Sequence, residues 1–264
     1  MTAALRYEWV RISTVRSTRI CLLLTLLLSA LLGYGAANPH HDVDDQGNEL
    51  AKVSVDWLGA FAIPLSITVV LASVVAAQSI GQEYRFGIIR LTLTAFPRRT
   101  QVIAAKVAFV VVAGAVFALV SFAGSWLGLL ARGFPTPPDG AVAPTTSFFL
   151  RGIAFAALWS LSAFALAGIT RQTAIGIAVP IVSGVIVEQI LAATLSEKAA
   201  WFTDHLPWSN AGRWNDAERL TSGVGVPPDL VHGPPVGWAA LVVFGAWVVA
   251  FLVVETVLFL RRDA

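Results

Sequence analysis

Residues 81–106, GQEYRFGIIRLTLTAFPRRTQVIAAK, decide how the chain is laid out. The stretch is basic: Arg85, Arg90, Arg98, Arg99 and Lys106 stand against Glu83 alone. It is also rich in apolar residues. Phe86, Ile89, Leu93 and Phe96 are spaced as on one face of a helix, although 89–94 also alternates with period two, which leaves a strand open. Pro97 is expected to stop the helix, because the residue before a proline avoids helical geometry. On either side the sequence turns strongly apolar, over 58–80 and over 107–131. Each run is long enough to cross a bilayer, which takes about 20 apolar residues. A basic segment between two such spans belongs on the inner side of the membrane.

Four further runs qualify as spans: 20–37, 148–170, 172–195 and 237–260. The fourth and fifth in chain order are separated only by Arg171 and its polar neighbours Thr170, Gln172 and Thr173, so a tight helical hairpin is expected. The composition fits a lipid solvent. Of the 264 residues 56% are hydrophobic and 13% charged, against about 25% charged in a soluble domain. The mean hydropathy is +0.74. These figures exclude a secreted domain, a nucleic-acid binder and an ordinary cytosolic enzyme. Cys21 is the only cysteine, so no intrachain disulfide forms.

Six spans put both termini on one side, and charge chooses which. With the N-terminus inside, the inner segments hold twelve of the 18 basic residues and three of the 16 acids, a net of +9. The outer segments hold six bases and eleven acids, a net of −5. The expectation is therefore an all-α membrane protein, N-in and C-in. Trp57, Trp126, Trp201, Trp208, Trp214 and Trp238 fall near the outer boundary, as an aromatic belt does, whereas Trp159 and Trp247 lie mid-span as packing residues. A signal peptide over 20–32, cleaved near 35–37, is the competing reading of the first span. It would leave five spans.

The non-spanning segments have their own patterns. Over 3–16, Leu5, Trp9 and Ile12 share a helical face, and Glu8, Arg11, Val15 and Arg19 follow another. Residues 1–19 read as a basic helix lying in the inner interface. The acidic outer loop 38–57 carries His40, His41, Asp42, Asp44 and Asp45, which are metal-ligand types, but a solvated loop explains them better. Residues 196–236 form the longest outer segment, aromatic in its first half and rich in proline and glycine in its second. Short helices dipping into the outer interface are expected, followed by surface loop.

Catalytic motifs are lacking. A Walker A loop requires lysine after glycine, and the three lysines follow Ala51, Ala105 and Glu197. There is no HExxH, CxxC or GxSxG, so nothing marks the chain as an enzyme, and no cofactor or metal is expected. Two acids lie within spans. Glu188 sits a few residues outward of the middle of the fifth span, and Glu255 inward of the middle of the sixth. A carboxylate at the bilayer centre costs about 2.5–3.5 kcal/mol on insertion scales, so each must face protein or a watery cavity. Glu188 is a candidate for a translocation path, with a hydrogen-bonded packing role as its equal alternative. Glu255, with Arg261 and Arg262 nearby in sequence, reads as packing. Pro64 and Pro180 are expected to kink their helices. Gly124 and Gly128 form a GxxxG that allows close helix contact, within one subunit or across a dimer.

These features together resemble the type-2 ABC-transporter permeases. They are an interfacial basic helix before six spans, the motif GxEYRxGxxR closing in PRR and a lysine, and LPWS in the long outer segment. The resemblance covers essentially the whole chain as one permease domain, 1–264. Ile88 departs from it, since relatives often carry threonine after the glycine. The resemblance implies a bacterial plasma-membrane exporter whose ATPase is a separate cytosolic subunit that binds the ATP. It implies a second permease chain, identical or related. It implies that Glu83, Tyr84, Arg85, Gly87 and Arg90 belong to the segment that contacts the ATPase, and that Trp201, Pro207 and Trp208 belong to a re-entrant region near the exit. The other classes weighed are a proton-coupled secondary transporter using Glu188 and a non-transporting membrane sensor or assembly partner. The sequence does not identify the substrate.

Overall fold

The computed structural model describes residues 6–10, 14–36, 40–43, 49–54, 56–95, 98–134, 143–195, 199–217 and 235–261. Residues 6–10 are helical. Then follow α1 (Arg16–Ala36), a hairpin of β1 (His40–Val43) and β2 (Glu49–Ser54), α2 (Trp57–Arg85), α3 (Ile89–Ala95), α4 (Arg99–Ala131) and α5 (Thr146–Thr170). The fifth span is α6 (Thr173–Val182), a π-helical turn Ser183–Val187 and α7 (Glu188–Leu195). Two short helices, α8 (Ala200–Asp204) and α9 (Pro207–Gly212), lead through a 3₁₀ turn, Arg213–Asn215, towards α10 (Trp238–Arg261). Six of these helical segments are long and apolar enough to cross a membrane.

The spans are not equivalent. In α2 and α5, 67% of the apolar window is buried by the rest of the chain, against 22% in α1 and α10 and 17% in the fifth span. α2 and α5 pack on each other and make the centre, α4 flanks both, and α1 lies along α4. The α1–α4 seam is made by small residues. A Cβ on Gly124 would meet Leu26 O at 2.7 Å, and one on Gly128 would collide with the Ala30 carbonyl. Ser29 Oγ and Ser121 Oγ share a hydrogen bond of 3.0 Å across the same seam. The GxxxG of the third span is therefore used inside the subunit, where close backbone approach gives dispersion contacts that lipid does not compete with.

Several expectations change. The second and third spans run further towards the basic segment than 80 and 107, because the helices continue through Arg85 and start at Arg99. The charges there are compensated within the fold, so the helices do not need to end before them. Phe86 and Ile89 do not share a helix face. The helix breaks at Gly87, whose φ of 67° is the left-handed region that favours glycine, and Ile89 is buried while Phe86 is exposed. α3 stops at Ala95, two residues before Pro97, and the side chains of Arg90, Leu93 and Phe96 lie outside the described residues. The acidic loop 38–57 pairs as an antiparallel hairpin, His40 opposite Ser54 and Val43 opposite Glu49, the one sheet among the described residues. The side chains of its histidines and aspartates lie outside the described residues.

The aromatic belt also divides. Trp126, Trp201 and Trp238 are exposed, but Trp57 and Trp214 are buried. Trp214 lies 4.8 Å from Phe148 and 5.8 Å from Phe155, ring to ring, under the N-terminal end of α5. Trp159 does pack internally, donating to Ser73 Oγ at 3.0 Å. Trp247 is partly exposed and its indole donates to the His205 carbonyl at 2.9 Å. The tight hairpin at Arg171 is present: α5 ends at Thr170 and α6 begins at Thr173, with Arg171 in the left-handed region at φ 58°. Pro64 lies within an uninterrupted α2, whereas Pro180 is followed at once by the π turn.

Candidate functional site

The polar groups gather at the two ends of the bundle. At the basic end, Lys106 sits on the second turn of α4 with 0% of its side chain exposed. An ammonium has three donors. They reach Glu8 Oε1 at 2.7 Å, Glu83 Oε1 at 2.7 Å and Ser79 O at 3.0 Å. Glu83 is 1% exposed and Glu8 is also buried. One cation thus joins three parts of the chain: the helical stretch 6–10, the last turns of α2 and the start of α4. Ser17 Oγ adds a bond to Gln78 Oε1 at 3.1 Å, tying the first turn of α1 to the same end of α2.

The other flank of this end is held by α6. The Arg171 guanidinium lies over the Tyr84 ring at 5.2 Å. Gly81 lies against Thr173 so closely that a Cβ there would collide with the threonine hydroxyl. Arg99 donates to Leu260 O at 3.2 Å, satisfying a carbonyl in the last turn of α10. The root of the 86–95 segment is therefore clamped on both sides. Within the segment, Ile89 and Thr92 are buried and the other described side chains are exposed. Phe86 is 64% exposed and Leu91 69%, Ile88 is exposed beside them, and Arg85 is exposed with its guanidinium 5.6 Å from the Phe86 ring. These apolar side chains form a small projecting surface with a basic rim.

The five residues assigned to this segment separate accordingly. Arg85 is on the exposed surface. Gly87 makes the turn that presents it. Tyr84 and Glu83 point back into the clamp. The backbone of Arg90 is in α3, and its side chain is outside the described residues. Reasoning from sequence missed the joint role of Glu8 and Lys106. The available signal was a lone lysine following Val102, Ile103, Ala104 and Ala105, where an anchoring charge gains nothing from apolar neighbours.

At the opposite end, Glu188 is buried and fully engaged. Oε1 accepts from Trp208 N at 3.1 Å, and Oε2 accepts from Ser209 N at 2.5 Å and Ser209 Oγ at 2.7 Å. The local sequence explains why. Leu206, the residue capping α9, has no side-chain acceptor, and Pro207 has no N–H. The N–H groups of Trp208 and Ser209 are the orphan donors of a helix start, and the carboxylate supplies the missing cap from another helix. The Glu188 N–H in turn bonds to Ser183 O, five residues back, which closes the π turn. Trp201 is highly exposed, Pro207 buried, and the Trp208 ring stacks on Phe251 with centroids 6.2 Å apart. Towards the basic end instead, Glu255 is 1% exposed and presses on Gly168 of α5, where a Cβ would meet its Oε1 at 2.8 Å. Neither of its oxygens has a hydrogen-bond partner among the described residues.

Six helices long and apolar enough to cross a membrane, with short helices folded against one end, define a multi-pass membrane protein. A family model described as ABC-2 family transporter protein matches residues 4–187, well over half of the chain, and the protein belongs to that family. It is therefore a membrane permease of an ABC transporter, and this family generally works with an ATPase subunit. A search of curated proteins gave no match. The matched region holds Glu8, Glu83 and Lys106 and ends one residue before Glu188.

Proposed function

We propose that the chain is the permease of an ATP-driven bacterial exporter, oriented with both termini and the 81–106 segment in the cytosol. A separate ABC ATPase docks on the 86–95 segment, and a second permease chain completes the path. The observation that carries this reading is the projecting apolar surface of Phe86, Ile88 and Leu91. Three large apolar side chains standing out of a basic segment have no role in water, and the charge bias puts that segment on the cytosolic side. The docking surface is then Phe86, Ile88, Leu91 and the Arg85 rim, while Glu83 and Tyr84 support it from behind. The engaged carboxylate of Glu188 supports an anchoring role over a proton relay.

The test is co-purification, in nanodiscs, of the chain with a candidate cytosolic ABC ATPase. The unmodified permease is expected to retain the ATPase and alter its hydrolysis. Phe86→Asp with Leu91→Asp is expected to weaken association at least tenfold, and Trp201→Ala, at the other end, to leave it unchanged. Full association by the double variant would overturn the docking surface.

A further inference from the structure

We infer that Lys106 is a positioning residue that makes the N-terminal helical stretch and the root of the docking segment move as one body. The inference rests on the proposed docking role of residues 86–95 and assigns that segment a mechanical partner. The geometry carries it. All three Lys106 donors are used, one on the 6–10 stretch and two on α2, at 2.7, 2.7 and 3.0 Å. The three side chains are essentially without solvent contact. An exposed ion pair gives way under a small load, because water replaces either partner. A desolvated pair does not, since separating it leaves unpaired charge in a poor solvent.

The position of the cluster makes the link directional. Glu83 lies three residues before Phe86, on the last turn of α2, and the chain turns at Gly87 directly afterwards. Among the described residues, Glu83 is the buried ionic group nearest in sequence to 86–95, so a displacement of that segment acts on it first. From there it passes through Lys106 both to α4 and, via Glu8, to the helical stretch whose Trp9 is exposed. The Ser17–Gln78 bond follows the same route one turn further on. In a membrane the Trp9 side contacts lipid, so load on the docking segment is shared with the interface rather than spent on bending α2.

The test separates the link from the docking reading. In full-length protein carrying Cys21→Ala, spin labels are placed at Val10→Cys and Thr94→Cys, both exposed, and distances are measured in nanodiscs. A control pair at Ile67→Cys and Leu150→Cys reports on the body of the bundle. Glu8→Gln/Lys106→Met/Glu83→Gln removes the charges together at similar volume. Glu8→Leu keeps the Lys106–Glu83 pair and releases only the N-terminal stretch. Both variants are expected to widen the 10–94 distribution at least twofold and to leave the control pair unchanged. An unchanged 10–94 width, or equal widening of both pairs, overturns the link. With the ATPase present, Glu8→Leu is expected to keep association and to lower the permease-dependent change in hydrolysis at least fivefold; an unchanged rate overturns the mechanical role. If no ATPase binds the unmodified chain, the docking reading fails, and the spin-label widths still decide the link.

Discussion

Glu188→Ala separates an anchor from a lining residue of a transport path. The carboxylate accepts three hydrogen bonds from the start of α9. Hydrogen bonds to a charged group contribute about 1.5–3 kcal/mol each, and three that share one carboxylate do not add fully. A loss of about 3–5 kcal/mol in the docking of residues 199–217 is the reasoned value. The loss is local, because α9 also packs on α10 and the core beneath it is held by Trp214. At about 1.4 kcal/mol per tenfold, protection of amides in 199–217 falls by about two to three and a half orders of magnitude. Amides of α2 and α5 change little. Glu188→Gln is the graded case. It keeps one acceptor but turns an NH₂ towards a backbone N–H, so its loss falls between wild type and alanine. The assay is hydrogen exchange by mass spectrometry on the full chain in nanodiscs. Exchange within threefold of wild type over 199–217 in Glu188→Ala would refute the anchoring argument.

Other expectations follow from the same contacts. Lys106→Met strands two buried carboxylates and is expected to cost about 3–5 kcal/mol, while Glu8→Gln/Lys106→Met/Glu83→Gln stays within about 2 kcal/mol of wild type, both read by thermal unfolding in nanodiscs. Gly128→Leu drives a side chain into the α1 backbone at Ala30 and is expected to cost about 1–3 kcal/mol or to release α1, seen as new protease cleavage in the 37–55 segment. Trp214→Ala opens a cavity beside Phe148 and Phe155 and is expected to lower stability by about 3–5 kcal/mol, without the selective exchange at 199–217 that Glu188→Ala produces.

The layout of the spans was legible because lipid reads composition directly: apolar runs of the right length have few alternatives to a helix. The Arg171 hairpin and the role of Gly124 and Gly128 followed from the same logic, since small residues matter through the backbone contact they permit. What the sequence concealed were the partners of its charges. Glu83 was expected in the segment that contacts the ATPase, yet its side chain faces inward to a lysine 23 positions away. Glu8 looked like the polar side of an interfacial helix, and it meets that lysine across 98 positions. Period and spacing describe one element at a time, so they reveal which face is apolar but not which buried charge waits opposite. Glu188 was legible as a residue needing a partner, but the partner is two backbone N–H groups, and these have no signature beyond the Leu206-Pro207 pair that leaves them uncapped.

The placement of these charges follows from their cost. At the middle of the membrane an unpaired carboxylate is most expensive, and in the described core of α2 and α5 the polar side chains are mainly hydroxyls that bond back to their own helix, such as Ser73 to Val69 and Ser162 to Trp159. Ionic groups engaged in specific bonds are moved to the ends. There Glu8 and Lys106 join residues 6–10 to α2 and α4, and Glu188 fastens the six-residue α9, which is too short to hold itself. A helix of one or two turns has little stability of its own, because nucleation consumes what its few hydrogen bonds return. Charge-assisted bonds from a neighbouring helix supply that stability to α9. The same device recurs at both ends: a buried charge holds a neighbouring element through donors or acceptors that an apolar helix face cannot supply.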